Sequence, residues 1–491
     1  MSREASAFAS KSLLQDTSMP SRRGFLRGAA AAGAGLWLPG ATMPARARPL
    51  QPRDPWAGVE AILGRIVPPH FPDRDFDIAS FGARADSGEP ATDALRAAIA
   101  ACHSAGGGRI VVPPGRFLTG AIRLESDVEL HVSEGATLAF ETDPRAYLPT
   151  VLTRFEGVEA MSYSPLIYAL DAENVAVTGA GTLDGQADEA HWWPWKGGRW
   201  GNGGPDQAAG RARLFEMAER GTPVAERVLG EGSYLRSSFV QPYRCRNVLV
   251  EGVRIVGSPM WEVHPVLCTN VTVRGVRIES HGPNNDGCNP ESSRDVLIES
   301  CSFDTGDDCI ALKSGRNADG RRVGVPVENV VVRNCVMKDG HGGVVIGSEV
   351  SGGARTVFAE RCRMSSPNLD RALRIKTNSV RGGVVEHVYM RDVTVGEVAE
   401  AVLTVNFFYE EGDAGGYPPI VRDVELRGVT SRKSRHAVLL RGFAHDPIRD
   451  VRIVDCSFDG VEGEDVVEGV VDLTWRNTRV NGRLRDETIS R

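Results

Sequence analysis

The sequence has little net charge, no pair of cysteines at metal-binding spacing and few stretches with helical periodicity. A formal charge of -7 on 491 residues gives no reason to expect nucleic acid binding. The nine cysteines include no Cys-x-x-Cys pair, which argues against a zinc site. The glycine run at 106–108 is not followed by Gly-Lys-Ser or Gly-Lys-Thr, so it is not read as a phosphate-binding loop.

The N-terminal segment has the pattern of an export signal. Arg22 and Arg23 precede the mildly apolar residues 28–38 and the small-residue site at 45–47. This pattern predicts a twin-arginine signal peptide over residues 1–47, although a chance basic run before a short core helix is the alternative. The apolar stretch is too short and glycine-rich for a stable membrane span. We therefore expect the twin-arginine export machinery as a partner, and a periplasmic or extracellular location.

A phrase of one polar residue and three mostly apolar residues recurs along the chain, and most of its copies are about 23 to 36 residues apart. Its copies begin at Asn174, Asn247, Asn270, Asp295, Asn329, Thr356, His387, Asp423 and Asp450. Apolar and polar residues alternate with period two, which predicts strands. Short strands in a long array without tight hairpins favour an all-β, single-stranded parallel β-helix over a sandwich or a propeller. We predict this solenoid over residues 76–485, after an extension at 48–75 and without a linker.

Two further features fit a solenoid. Thr92 and Asp93 precede the alanine-rich residues 94–102, which predict a short capping helix over the exposed end of the core. Four cysteines occupy the same place in their repeats and predict a buried stack of small side chains, with one disulfide among the other cysteines left open. These four are Cys301, Cys335, Cys362 and Cys456.

Acidic residues follow two neighbouring copies of the phrase. Asp286 follows the copy at Asn270, and Asp307 and Asp308 follow the copy at Asp295. Because equivalent positions of a solenoid stack about 4.8 Å apart, the three carboxylates are predicted to form one cluster. The next two coils bring His341, between two glycines, and then Arg374 and Lys376. Acids, a histidine and a cationic clamp together indicate carbohydrate chemistry on an anionic sugar.

Each of these residues also has a simpler interpretation. Adjacent aspartates after a glycine are common in turns and in calcium sites. Arg374 and Lys376 alternate along a strand, as residues of a solvated face do. Their order on successive coils favours a single functional site.

The segments 285–287, 306–308, 340–342 and 374–376, in this order, resemble the four signatures of glycoside hydrolase family 28, the polygalacturonases. The resemblance runs from about Phe76 to the last coil. It implies a right-handed, pectin-lyase-like parallel β-helix that hydrolyses galacturonan-type links in a pectic polysaccharide or oligogalacturonide, with inversion at the anomeric carbon. The roles it implies are general acid for Asp307, water activation for Asp286 and Asp308, support of the acid for His341, and substrate binding for Arg374, Lys376, Asn285 and Tyr409.

The implied chemistry needs these residue types. An inverting hydrolase uses one protonated and one ionised carboxyl group, about 6.5 to 9.5 Å apart. Crowded carboxylates raise one another's pKa, so one can stay protonated while the others ionise. A guanidinium group pairs with a uronate carboxylate through two hydrogen bonds. No metal or other cofactor is expected.

Residues 185–240 lengthen one connection and contain Trp192, Trp193, Trp195 and Trp200. The insert is expected either to form a wall of the cleft or block one end of it, which would favour trimming of chain ends, or to pack its tryptophans on the flank of the solenoid. Three functional alternatives stay open: a rhamnogalacturonan hydrolase, a calcium-dependent β-eliminating pectate lyase, and a non-catalytic polysaccharide-binding solenoid.

Overall fold

The computed structural model describes residues 54–490, which wind into coils whose strands stack in parallel on three faces. Face 1 consists of Asp75–Asp77, Gly108–Val112, Val128–Val132, Glu173–Gly179, Arg246–Glu251, Thr269–Arg274, Arg294–Glu299, Val327–Arg333, Ala354–Glu360, Val384–Arg391, Ile420–Arg427, Ile448–Val454 and Val470–Val480. Face 2 consists of Gly115–Thr119, Ala136–Phe140, Thr182–Asp184, Arg254–Val256, Arg277–Ser280, Ser302–Thr305, Val336–Met337, Arg363–Met364, Thr394–Val395, Thr430–Ser431 and Ser457–Phe458. Arg483–Ile489 closes the last coil as an antiparallel strand.

Face 3 carries the residues of interest. Its strands are Ile122–Leu124, Ile167–Leu170, Val240–Tyr243, Ile310–Leu312, Val344–Gly347, Arg371–Lys376, Ala401–Asn406, His436–Arg441 and Val466–Glu468. Two intervening coils join this face through isolated bridges at Val263, Val266, Cys288 and Glu291. The prediction of a parallel β-helix is confirmed. The predicted signal at 1–47 lies outside the described residues.

The recurring phrase marks the start of the main strands of face 1. Its first residue has a φ between 51° and 61° in every copy, a left-handed conformation that Asn and Asp adopt more readily than most residues. Three of these side chains form a ladder, in which Asn247 donates to Asn174 at 2.8 Å and Asn270 donates to Asn247 at 2.7 Å. The apolar residues that follow point inward and stack in register, as Val248, Val271 and Val296 do. The polar first position therefore sets both the turn and the register.

Four α-helices lie outside the stacks: α1 (Val59–Leu63), α2 (Thr92–Ser104), α3 (Ala208–Glu219) and α4 (Asn317–Val323). The predicted capping helix is α2, whose Leu95, Ile99 and Cys102 are buried in the main core. Thr92 does not cap it, because its hydroxyl accepts the N–H of Gly120 at 2.8 Å. No helix among residues 54–490 combines the length and the apolar character needed to cross a membrane.

All nine cysteines fall within 54–490, and each is a buried free thiol. The Cys301 Sγ donates to the carbonyl of Glu299 at 3.3 Å, and Cys335 and Cys362 make the equivalent bond two residues back. The predicted stack of small buried side chains is present in the structure.

Residues 55–66 cross four successive coils on the outside of face 1. Here Trp56, Val59, Ile62 and Ile66 pack on outward-facing apolar residues, namely Leu297, Val331, Phe358 and Tyr389. The Arg391 guanidinium lies 4.0 Å from the centre of the Trp56 ring. Residues 55–66 therefore form a clamp over the coils that carry the predicted site.

Two extensions rise beside face 3. The first is a hairpin of Val151–Phe155 and Val158–Ser162, to which Val228–Leu229 adds a parallel strand. The second is the predicted insert, which leaves the solenoid after Thr182–Asp184 and returns at Val240–Tyr243. Helix α3 of the insert packs Leu214 and Ala218 into a small core shared with the hairpin and with Trp261.

Candidate active site

Asp286, Asp307 and Asp308 form one cluster on face 3. Cys288 bridges to Ile310 in register, so Asp286 and Asp308, each two residues earlier, occupy equivalent places on adjacent coils. One oxygen of each carboxylate lies within 4.8 Å of one oxygen of each of the other two. The structure thus brings together the three carboxylates that the spacing of the repeats predicted would meet.

Every carboxylate of the cluster has its own partner. The Asp286 Oδ2 accepts from Asn289 Nδ2 at 2.9 Å and lies 3.5 Å from Lys313 Nζ. The Asp308 Oδ2 accepts from Lys376 Nζ at 2.7 Å. A third contact joins the Asp307 Oδ1 to the Nδ1 of His341 at 3.0 Å. These contacts hold the cluster in place without substrate.

The surroundings of Asp286 and Asp307 shift the pKa values of these two carboxyl groups in opposite directions. Burial raises the pKa of Asp286 to about 7, and the adjacent Asp307 and Asp308 add to this rise. Burial also acts to raise the pKa of Asp307, but the His341 hydrogen bond and nearby positive charges outweigh it and hold that pKa below its ordinary value. The hydrogen bond to Asp307 in turn raises the pKa of His341. These opposite shifts favour a proton on Asp286 over one on Asp307, and they favour a protonated His341 beside an ionised Asp307.

The cluster differs in two respects from the arrangement described for an inverting hydrolase. The pKa of Asp307, the general acid that the resemblance implies, is held below its ordinary value by the His341 hydrogen bond and nearby positive charges in the free protein. The distance of 4.8 Å or less between carboxylate oxygens is also shorter than the 6.5 to 9.5 Å or so expected for an inverting enzyme. The reason is that Asp307 and Asp308 are consecutive and Asp286 lies only one coil away. A water molecule has to lie beside the cluster rather than between two separated carboxylates.

The predicted clamp residues surround the same cluster. Arg374, Lys376 and Tyr409 all line one cavity of about 430 Å³ together with the acids and His341. The Lys376 ammonium is engaged with Asp308, while the Arg374 NH1 is 3.7 Å from that carboxylate. The Tyr409 ring centre lies 5.3 Å from Lys376 Nζ and 5.7 Å from the Arg374 guanidinium. Arg374 is thus the less engaged of the two predicted cations.

Asn285 does not reach the cavity. Its side chain is fully buried, donates to the carbonyls of Ser258 and Met260 at 3.0 and 2.9 Å, and accepts from the N–H of Gly282. The structure contradicts its prediction as a substrate contact, because all its polar atoms hold the turn before Asp286. The preceding Asn284 lines the cavity instead.

The structure of the insert agrees in part with each of the two interpretations of its sequence. Trp192, Trp193 and Trp195 pack on the solenoid core, as the flank alternative predicted. Lys196 and Arg211, from the same insert, line the cavity, so the insert also forms part of its wall. The tryptophans anchor the segment, and the cations beside them face the site.

Several cavity residues were not predicted from the sequence. They are Glu156, Lys196, Arg211, Trp261, Asn284, Lys313, Arg316, Ser348, Glu349, Asp370, Arg371 and Glu410. Lys313 could have been predicted from the sequence as a site residue. An apolar residue followed by lysine ends the face 3 segment both at Leu312-Lys313 and at Ile375-Lys376. Glu156 and Arg211 carried none, since they come from the hairpin and the insert, which lie outside the repeat.

Comparisons with known proteins agree with this geometry. The family model described as glycosyl hydrolases family 28 matches residues 232–474. The crystal structure of a hyperthermoactive exopolygalacturonase from Thermotoga maritima shares 48% identity and a TM-score of 0.85, covering 88% of this chain and 97% of that one. A probable polygalacturonase of Vitis vinifera is 28% identical over 391 residues, which are 77% of this chain and 72% of that protein. An exo-poly-alpha-D-galacturonosidase of Dickeya chrysanthemi is 27% identical over 362 residues, 69% of this chain and 58% of that protein. The chain belongs to glycosyl hydrolase family 28.

Proposed function

We propose that this protein hydrolyses the glycosidic bonds of galacturonan in pectin and removes short products from chain ends. The observation that carries the proposal is the cluster of Asp286, Asp307 and Asp308 in a cavity with cationic walls. A polyanion would be repelled by the net charge of -7, so local cations are needed to bind it. Arg374 suits this task because its planar guanidinium matches a carboxylate.

The acid step uses the pair formed by His341 and Asp307. When an anionic sugar displaces water from the cavity, added negative charge and lower polarity favour a protonated carboxyl group. The proton then moves from His341 Nδ1 to Asp307, which donates it to the leaving oxygen. His341 recovers a proton from solvent, to which its side chain is 47% exposed.

Asp286 and Asp308 serve the attacking water in this proposal. Lys376 Nζ lies 2.7 Å from Asp308, and Lys313 Nζ lies 3.5 Å from Asp286, where its positive charge opposes the rise in the Asp286 pKa and helps that carboxyl group to release its proton before it accepts one from water. Attack from the side opposite the leaving oxygen inverts the anomeric carbon, as the family resemblance implies. The same ammonium groups would compete with a calcium ion for the carboxylates, which disfavours the β-eliminating alternative.

The insert supports action at chain ends. Lys196 and Arg211 from the insert and Glu156 from the hairpin form part of the cavity wall beside the cluster. An internal stretch of polymer needs a cleft open at both ends, whereas a chain terminus needs only one opening. The 48% identical protein from Thermotoga maritima is described as an exopolygalacturonase, which supports the same mode.

Product length over time tests the proposal. The purified protein is incubated with polygalacturonate and, separately, with rhamnogalacturonan, and early products are separated by size. We expect monomer or dimer from polygalacturonate at the first time points. An early ladder of oligomers would contradict end-trimming. An unsaturated, ultraviolet-absorbing product whose formation a chelator abolishes would show that the reaction is β-elimination and not hydrolysis. Activity on rhamnogalacturonan alone would show that galacturonan is not the substrate.

The site of action is also part of the proposal. Arg22 and Arg23 fit a twin-arginine signal, and we expect export to the periplasm or beyond by that route. Replacing both arginines by lysine should retain the protein in the cytoplasm, while Arg46→Lys, in the same segment, serves as the control. Unchanged export of the double variant would contradict the assignment.

A further inference from the structure

Lys196 differs from the other cations that line the cavity. Among the described residues, the partners of those cations lie within 4.0 Å: Glu349 for Lys313, Glu156 for Arg211, Asp308 for Lys376 and Arg374, Glu410 for Arg316, and Asp370 for Arg371. Within 54–490, Lys196 takes part in no ion pair at that distance. Burial lowers the pKa of Lys196, the nearby Arg236 and Arg211 act in the same direction, and the more distant charges of Glu156 and Asp307 oppose this fall.

The position of Lys196 is well defined. It ends the short 3-10 helix Trp193–Lys196, whose Trp193 indole donates to the Ser258 carbonyl at 2.9 Å. The Trp195 ring centre lies 5.1 Å from that of Tyr234 and 4.9 Å from that of Trp192. Aromatic packing thus fixes the backbone from which the half-buried Lys196 side chain reaches the cavity.

From this arrangement we infer that Lys196 binds the carboxylate of the terminal uronate unit and so selects chain ends that carry a free acid. This inference rests on the proposed end-trimming hydrolysis and adds a specific ligand to it. An ammonium group that neutralises no protein carboxylate within contact distance is available to an anionic ligand. Arg374, which lines the same cavity, can hold the uronate of the neighbouring unit.

The test combines an enzyme change with a substrate change. We measure kcat/KM of the wild type and of Lys196→Met on trigalacturonate and on the same trimer methyl-esterified only at the terminal unit that is released. Loss of a hydrogen bond to a charged group lowers kcat/KM by roughly 10- to 100-fold. Lys196→Met should lose that factor on the free acid and less than about threefold on the ester, because the ester has no charge for Lys196 to bind. Arg199→Met, in the same insert but outside the cavity lining, should behave as wild type on both substrates.

The outcomes separate this inference from the proposed function. Equal losses on the two substrates, or a variant within threefold of wild type on the free acid, would overturn the role of Lys196 while leaving hydrolysis intact. Absence of any product from wild type and polygalacturonate would instead overturn the proposed function. If Lys196→Met fails to fold, Lys196→Gln, which keeps a polar side chain of similar length without the charge, takes its place in the same comparison and should show the same selective loss on the free acid.

Discussion

Replacing His341 by glutamine tests where the proton for the leaving oxygen is held. In the free protein the His341 Nδ1 lies 3.0 Å from Asp307 Oδ1, with the pKa of the imidazole raised and that of the carboxyl lowered. Both shifts describe an imidazolium beside a carboxylate. His341→Gln keeps a hydrogen-bonding side chain but removes the titratable proton.

The size of the effect follows from the distance and the exposure. Two unit charges 3.0 Å apart interact by about 1.4 kcal/mol in water and about 5.5 kcal/mol at an effective dielectric constant near 20. Because the His341 side chain is 47% exposed, screening favours the low end of this range, on the order of 2 kcal/mol. The proton donor of the wild type titrates above the ordinary histidine pKa of about 6.5, whereas the variant relies on a carboxyl group with an ordinary pKa near 3.9.

The assay is the pH dependence of kcat/KM on trigalacturonate, which reports groups of the free enzyme. The alkaline limb should move to lower pH by at least about one unit in His341→Gln, with about 100-fold less activity near pH 7. His445→Gln, a 58% exposed histidine outside the cavity lining, is the control and should leave the profile unchanged. An alkaline limb that stays in place would refute the reasoning, because the group that titrates there would then not be His341.

Two further predictions concern stereochemistry and stability. Proton NMR during hydrolysis should show the new reducing end first in the anomeric configuration opposite to that of the cleaved bond, and initial retention would show that a carboxylate attacks directly. Trp56→Ala should lower the free energy of unfolding by about 3 to 5 kcal/mol, since Trp56 is buried in the clamp against Phe358 and Arg391. Denaturant unfolding measures this loss, with the 62% exposed Val67→Ala as the control, and a loss below about 1 kcal/mol would show that the clamp is not needed.

The fold was predictable because its local and long-range requirements coincide. The first position of each phrase needs a residue that tolerates positive φ, and the following valines need burial, so one short pattern recurs in every coil. The clamp was not predicted. Leu297, Val331, Phe358 and Tyr389 face outward, and an apolar residue at an outward position was a signal that another segment covers it.

The site, like the fold, contains residues that the repeat predicts and residues that it does not. Asp286, Asp307, Asp308, His341 and Arg374 follow from the repeat, because stacking converts their spacing into proximity. Asn285 was predicted one position away from the residue that lines the cavity, since the turn before Asp286 uses its side chain internally.

Residues outside the repeat have no period from which their position could be derived. Lys196, Arg211 and Glu156 reach the cavity only because the insert and the hairpin pack together beside face 3. Their placement depends on tertiary contacts that the sequence pattern does not encode.

The direct test of the central claim is the hydrolysis rate of Asp307→Asn, which removes the proposed donor without changing the size of the side chain. We predict a fall of about 10³- to 10⁴-fold in reducing-sugar release from polygalacturonate, with the Kd for trigalacturonate within about threefold of wild type and the fold intact by circular dichroism. A variant that hydrolyses within tenfold of the wild-type rate would contradict the assignment of this carboxylate cluster as the catalytic centre.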